Sequence, residues 1–171
     1  LLLVTGQRRD EVAKMRWKDL DLEADLWTLS REATKADRLH EVPLSPLAVD
    51  ILRKVKRTSN EYVFSTNGKT PISGFSRAKT KADEVSSVNM PEWRLHDLRR
   101  TAASNMAKLG IAPHVIEKVL NHSTGTISGV AAVYNRYGYA DEKRAALGTW
   151  ARALEAVVCP SDSNVIEIRG W

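Results

Sequence analysis

The sequence has a single cysteine, Cys159, which excludes a disulfide within the chain and is compatible with a reducing compartment. It lacks any apolar run near the roughly 18 residues that a spanning helix needs, and nothing in it resembles a cleaved secretion signal. No membrane partner is expected, and the expected setting is the cytoplasm. The histidines are His40, His96, His114 and His122. Their spacing matches no closed metal site and one cysteine accompanies them, so neither a metal nor another cofactor is expected. Internal repeats and low-complexity segments are also missing, which excludes a repeat array.

What is present describes one folded unit. The chain has 171 residues, 43% hydrophobic and 27% charged, enough for a single domain with a sizeable core. Its formal net charge of +5 fits a polyanionic partner, nucleic acid ahead of a membrane surface. The chain opens LLLVTG, without an initiator methionine and inside an apolar run, so it is expected to be a piece of something longer. At the other end CPSDSNVIEIRGW breaks the pattern at Pro160. Residues 159–171 are expected to form a tail with a short strand at Val165 to Ile168, outside a domain of residues 1–158.

Between these ends the periodicity is mostly helical. After the break at Thr5 and Gly6, Val12, Met15 and Leu20 predict an amphipathic helix over about 9–19. LWTLSREA and RLHEVPLS alternate around the polar turn TKAD, predicting a hairpin with Lys35 near its tip and a third strand at Tyr62 to Phe64. SPLAVDILRKVKR has Ser45 as N-cap and Pro46 at the first helical position. The Gly, Ser, Thr and Lys-rich stretch 66–81 reads as loop passing into a helix near Ser76. WRLHDLRRTAASNMAKLG predicts a helix with Leu95, Leu98, Ala102 and Leu109 on one face and Gly110 as its stop. Two more helices follow, one to about Leu120 that buries Val115, Ile116, Val119 and Leu120, and one from Asp141 to Val157 that carries Leu147, Trp150 and Leu154. The expected fold class is α+β, mainly helical with a small three-stranded antiparallel sheet.

Several residues carry chemistry, and each has a plainer alternative. In LHDLRRT, His96 and Arg99 lie three apart, on one side of a helix beside the apolar stripe, where they can converge on a single group or form an ordinary surface pair. TGQRRDE puts Arg8 at a helix opening with Glu11 as a supporting carboxylate. That is either a charged helix start or a guanidinium aimed at a phosphate, which it matches bidentately at any working pH. Lys35 on a loop is either solvated or an ammonium that swings into a site as proton donor. His122 in LNHSTG follows a helix end, where a histidine often caps the last carbonyls. Downstream, AAVYNRYGYADEKR holds Tyr134, Tyr137 and Tyr139, either an aromatic packing patch or the source of a nucleophile.

Taken in order, Arg8, Lys35, His96, Arg99, His122 and Tyr134 resemble the catalytic residues of the tyrosine recombinases, the phage integrase family, and especially the integrases of genomic islands and satellite phages. The resemblance runs from Leu1 to about Leu154 through LLLVTGQRRDEV, TKADRLHEVPLS, LHDLRRTAASNMAKLG with IEKVLNH, and VYNRYGYADEKR with Trp150. It implies that Arg8 is the first arginine of the TGxRxxE motif with Glu11 as support, that Lys35 is the hairpin lysine, and that His96 and Arg99 are the HxxR pair. It also makes His122 the histidine of LGH, and Tyr134 the nucleophile. Asn121 stands where that motif has glycine, and twelve positions separate His122 from Tyr134, where many recombinases have nine; both are expected to be subfamily features. Tyr137 and Tyr139 are then packing or hydrogen-bonding anchors at the entry to the last helix.

The resemblance further implies a catalytic-domain fold, double-stranded DNA attachment sites as partner, and self-assembly of the full-length protein to a tetramer on DNA. Arg8 and Arg99 would clamp the non-bridging oxygens of a pentavalent transition state with His122 as a further donor. His96 is the candidate base toward Tyr134, and Lys35 the candidate acid toward the leaving 5′ oxygen. Lys54, Lys56, Arg57, Lys79, Lys81, Arg94 and Arg100 are candidates for phosphate positioning. No candidate for the family's N-terminal DNA-binding domain is found in these residues, so weak DNA binding by this chain alone is expected. An inactive DNA-binding or assembly module of the same fold, and a relaxing enzyme like the type IB topoisomerases, are the alternatives.

Overall fold

The structure, a computed structural model, describes residues 1–86, 91–122 and 138–159. Tyr134, Tyr137 and the expected strand at Val165 to Ile168 lie outside the described residues. The elements are, in order, α1 (Leu2–Thr5), α2 (Arg9–Ala13), β1 (Leu20–Asp21), β2 (Leu26–Leu29), β3 (His40–Pro43), α3 (Pro46–Arg53), α4 (Phe75–Val85), α5 (Leu95–Lys108), α6 (Pro113–Val119) and α7 (Ala140–Val158). The described residues are therefore mainly helical with one small sheet, as expected.

That sheet is antiparallel in the order β1-β2-β3. Trp27 pairs with Val42 and Leu29 with His40; all four side chains are buried, because alternate residues of a strand face one side. The third strand is not Tyr62 to Phe64. It is Leu20–Asp21, paired through Leu20 and Trp27 and joined to β2 by a turn in which the Asp21 carboxylate accepts the Glu23 and Ala24 amides at 3.0 and 2.9 Å. Tyr62 forms only an isolated bridge with Arg16.

The same bridge shortens the predicted helix over 9–19. Helix α2 ends at Ala13; Arg16 is extended and Trp17–Asp19 forms a short 3-10 helix, and Val63 N–H donates to the Met15 carbonyl at 2.9 Å and Trp17 N–H to the Glu61 carbonyl at 3.0 Å. Those bonds take the place of two helical ones and leave Met15 only 1% exposed. Apolar periodicity alone does not separate the two outcomes.

Local signals set the other helices. Ser45 Oγ accepts the Ala48 amide at 3.3 Å and Pro46 occupies the first turn of α3, with Ala48, Val49 and Leu52 buried. Helix α5 begins where the Asp97 carboxylate accepts the Arg94 amide at 2.8 Å, and it stops before Gly110 at φ +81°. Its buried face is Arg99, Ala102 and Met106; Leu109, expected on that face, is 43% exposed. Helix α6 buries Val115, Ile116 and Val119. Helix α7 packs on β3, α6, α5, α3 and α1, and Trp150 Nε1 donates to the Leu3 carbonyl at 2.9 Å. One core unites Val4, Trp27, Leu52, Met106, Val119, Leu147 and Trp150. At its edge Tyr139, entering α7, meets the His114 ring edge-on at 5.5 Å between centroids, with Lys118 over its face at 5.3 Å.

Candidate active site

The site is built around the C-terminal end of α6. The final carbonyls of a helix have no intrahelical partner, and here side chains from three separate segments supply the donors. Gln7 Nε2 and His40 Nε2 reach the Val119 carbonyl at 2.9 and 3.2 Å. Arg99 donates to the Leu120 carbonyl, Arg8 to that of Asn121 at 3.3 Å, and Arg38 to that of His122 at 2.7 Å. Three guanidiniums thus grip three successive residues. The negative end of the helix dipole favours the arrangement.

Arg99 is 5% exposed, within the buried stripe of α5 and not beside it as expected. A buried guanidinium is tolerated here because two of its five donors are paired with carbonyls, which leaves others for a further acceptor. One goes to Leu120, and another goes to the Gly6 carbonyl at 2.7 Å. Burial lowers the Arg99 pKa to about 10, with the positive charge of Arg8 as the next cause; the group remains charged near neutral pH. Gly6 holds the turn that presents this carbonyl, at φ +65°, the left-handed region that favours glycine. A Cβ there would sit 3.1 Å from Leu120 Cδ2 and 3.6 Å from Ala102 Cβ.

Arg8 stands one turn away at the start of α2. Glu11 orients it twice, accepting its backbone amide at 3.0 Å and its guanidinium at 3.0 Å. Glu11 is buried while the Arg8 side chain is 24% exposed, so the cation is fixed from below and open above. His122 is held in a comparable way. Its Nδ1 lies 2.7 Å from the Glu117 carboxylate, and since a carboxylate accepts, Nδ1–H donates and Nε2 is left for another partner.

A cleft of about 970 Å³ opens over Arg8 and Glu11, lined also by Lys35, Trp93, Arg94 and His96. Lys35 comes from the connection between β2 and β3 and is exposed, as is His96 in the first turn of α5. The structure therefore brings Arg8, Glu11, Lys35 and His96 to one cleft; Arg99 and His122 do not line it, and they are linked to Arg8 through the residues that follow α6, Arg99 at the Leu120 carbonyl and Arg8 at that of Asn121. Tyr134 lies outside the described residues.

Of the cations expected to position phosphates, Lys79 and Arg94 line the cleft, whereas Lys54, Lys56, Arg57, Lys81 and Arg100 do not. Lys79 pairs with Asp83 at 2.6 Å and lies over the Trp93 ring at 5.4 Å, Arg100 pairs with Asp97 at 2.9 Å, and Arg57 lies over the Trp17 ring at 5.2 Å. Among the described residues no group of three or more His, Cys, Asp or Glu is placed to hold a metal ion, and no helix is long and apolar enough to cross a membrane.

Arg38, Gln7 and Asn121 are the members that sequence reasoning missed. Arg38 is three residues from Lys35 in the chain, but no spacing rule says that it reaches Asn121 and His122. Asn121 carries a weak signal, since asparagine is among the few residues at ease in the left-handed region; its φ is +49°.

Known proteins share this architecture. A sequence profile of the Phage integrase family matches residues 1–139. The chain is 30% identical over 164 residues to the prophage integrase IntA of Escherichia coli, covering 90% of this chain and 37% of that protein. It is 29% identical to the prophage integrase IntZ of Escherichia coli, covering 98% of this chain and 41% of that protein. The chain thus spans about two fifths of the length of these relatives. Among solved structures, the Tn1549 transposon integrase in complex with a circular intermediate DNA superposes with a TM-score of 0.62 at 20% identity, over 84% of this chain and 55% of that one. XerA recombinase gives 0.59 at 18% identity, over 94% and 55%. With the profile matched over most of its length, the chain belongs to the phage integrase family, the tyrosine recombinases.

Proposed function

We propose that this chain is the catalytic part of a site-specific DNA recombinase of a mobile element, cutting and rejoining DNA through a 3′-phosphotyrosine intermediate in the cytoplasm. The observation that carries the reading is the pair of fixed guanidiniums. Arg8 and Arg99 are oriented by Glu11 and by the Gly6 and Leu120 carbonyls, beside a cleft that also holds Lys35 and His96. Donors fixed in advance are what a phosphoryl transition state needs, because its charge develops on the non-bridging oxygens and no reorganisation is then required.

In this reading the Tyr134 oxygen attacks the scissile phosphorus, and the bond from phosphorus to the 5′ oxygen breaks. His96 accepts the phenol proton. Lys35 gives a proton to the leaving 5′ oxygen, and Arg8, Arg99 and His122 hold the non-bridging oxygens. The tyrosyl ester keeps the phosphodiester's energy, so a 5′-hydroxyl from another strand reverses the step without a nucleotide cofactor. The partner is a double-stranded attachment site, and the full-length protein assembles as a tetramer on it. The relatives named as integrases and the DNA complex of the Tn1549 transposon integrase support a DNA partner.

The test uses the full-length protein and a nicked suicide duplex of its own attachment site. A covalent adduct on a denaturing gel is expected from the wild type and is expected to vanish in Tyr134→Phe. An adduct that persists in Tyr134→Phe defeats the assignment of the nucleophile, and its loss only in Tyr137→Phe or Tyr139→Phe moves that assignment.

A further inference from the structure

Arg38 is the most connected residue near the cleft that the reaction scheme above leaves without a task. Its Nε donates to Asn121 Oδ1 and its Nη2 to the His122 carbonyl at 2.7 Å. Asn121 is 2% exposed, so this is an anchor in the protein body. The backbone of Arg38 is fixed as well. Thr34, itself buried, donates its hydroxyl to the Arg38 carbonyl at 2.8 Å, and the same hydroxyl accepts the Arg38 amide at 3.2 Å.

The residues bracketed by Thr34 and Arg38 are Lys35, Ala36 and Asp37. Asp37 sits at φ +48° with its amide on the Thr34 carbonyl at 3.3 Å, which closes the bracket into a tight turn. Lys35 is exposed, so its own side chain does little to fix the turn. The fork of Arg38 ties this turn to the segment that carries His122.

We infer that Arg38 is a positioning residue, which sets the Lys35 turn against the end of α6 so that the Lys35 ammonium reaches the leaving 5′ oxygen. The inference rests on the proposed recombinase reading. Arg38 does not touch the reacting atoms; it acts through Lys35. A lysine at this position cannot replace it, because one ammonium lacks the planar fork that spans two acceptors.

The experiment compares two suicide duplexes with the full-length protein, one native and one with sulfur replacing the bridging 5′ oxygen at the scissile phosphate. When the phosphorus–sulfur bond breaks, the sulfur leaves as a thiolate and needs no proton, so a defect in proton donation disappears on that substrate alone. Arg38→Ala is expected to form adduct at least about 10-fold more slowly on the oxygen duplex and to come within about 3-fold of wild type on the sulfur duplex, proton donation being a factor of roughly 10²–10⁴ at most. Lys35→Ala should show the same pattern, Arg8→Ala should stay slow on both duplexes, and Arg38→Lys should behave as Arg38→Ala. Asn121→Gly keeps the left-handed backbone without strain and removes the buried amide side chain that carries the Oδ1 acceptor; it should show a smaller, sulfur-rescued loss. Combining Arg38→Ala with Lys35→Ala should slow the oxygen duplex no further than Lys35→Ala alone.

A normal rate for Arg38→Ala on the oxygen duplex overturns the inference, and so does a loss that sulfur does not rescue, which is also what impaired folding would give. If the wild type itself forms no adduct on either duplex, the recombinase reading falls and this inference with it.

Discussion

At Gly6, one residue without a side chain holds together a site made from distant parts of the chain. Its φ of +65° costs an alanine about 1–2 kcal/mol, and the added Cβ would press on Leu120 Cδ2, the residue whose carbonyl Arg99 grips. Gly6→Ala is therefore expected to lower stability by about that amount in urea unfolding. Arg99→Ala removes a preorganised donor and is expected to slow adduct formation by roughly 10²-fold or more on the suicide duplex. His40 gives a prediction in pH. Burial first, and the charge of Lys143 next, lower its pKa to about 3 from an ordinary 6.5, so the folded chain keeps it neutral while the unfolded chain takes up a proton. Its contribution to stability is complete above about pH 6.5 and is lost as pH falls from there toward 3, at up to about 1.4 kcal/mol per pH unit. His40→Gln should show a flatter loss of stability between about pH 6.5 and 5, before most carboxylates titrate; an unchanged slope would contradict the assignment.

Among the elements, α6 matters more for its end than for its length. It is a helix of 7 residues; its last carbonyl, of Val119, takes Gln7 and His40, and those of the three residues that follow it take Arg99, Arg8 and Arg38. Nothing in the α6 sequence announces this, because the donors come from the α1–α2 turn, the β2–β3 hairpin and α5. Helix α7 is bound to the opposite end of the chain by the Trp150 indole on the Leu3 carbonyl. Trp150→Phe keeps a ring in the core but leaves that carbonyl unpaired, at a cost of about 1–3 kcal/mol, seen as a lower thermal midpoint. The helix over 9–19 shows the limit of periodicity at this scale. Met15 is buried as the pattern required, but it is buried by pairing with residues 61–63, a partner nearly fifty residues away that no window on the sequence contains.

For the molecule as a whole, the excess of positive charge, +5 with 26 Lys and Arg against 21 Asp and Glu, predicts that the DNA binding proposed for it weakens steeply with salt. The logarithm of the binding constant should fall linearly with the logarithm of salt, by about 0.9 per phosphate neutralised. Lys79 and Arg94 line the cleft, so Arg94→Ala is expected to lower that slope by about one, measured by fluorescence anisotropy on a duplex attachment site. Lys54→Ala, away from the cleft lining, should leave the slope within about half of that.

The residue types and their order belong to the sequence. TGQRRDE, LHDLRRT and LNH announce a set of cations and histidines by local spacing, and strand alternation with Ser45-Pro46 capping announces the hairpin and α3, because capping and periodicity act over a few residues. The tertiary structure decided what is far apart in the chain: that Arg99 is buried and held by the Gly6 and Leu120 carbonyls, that Leu20–Asp21 supplies the third strand, and that Arg38 ties the Lys35 turn to Asn121 and His122. A buried guanidinium finds its acceptors only when the backbone of other segments has already been placed around it, and that placement is set by the packing of the whole core.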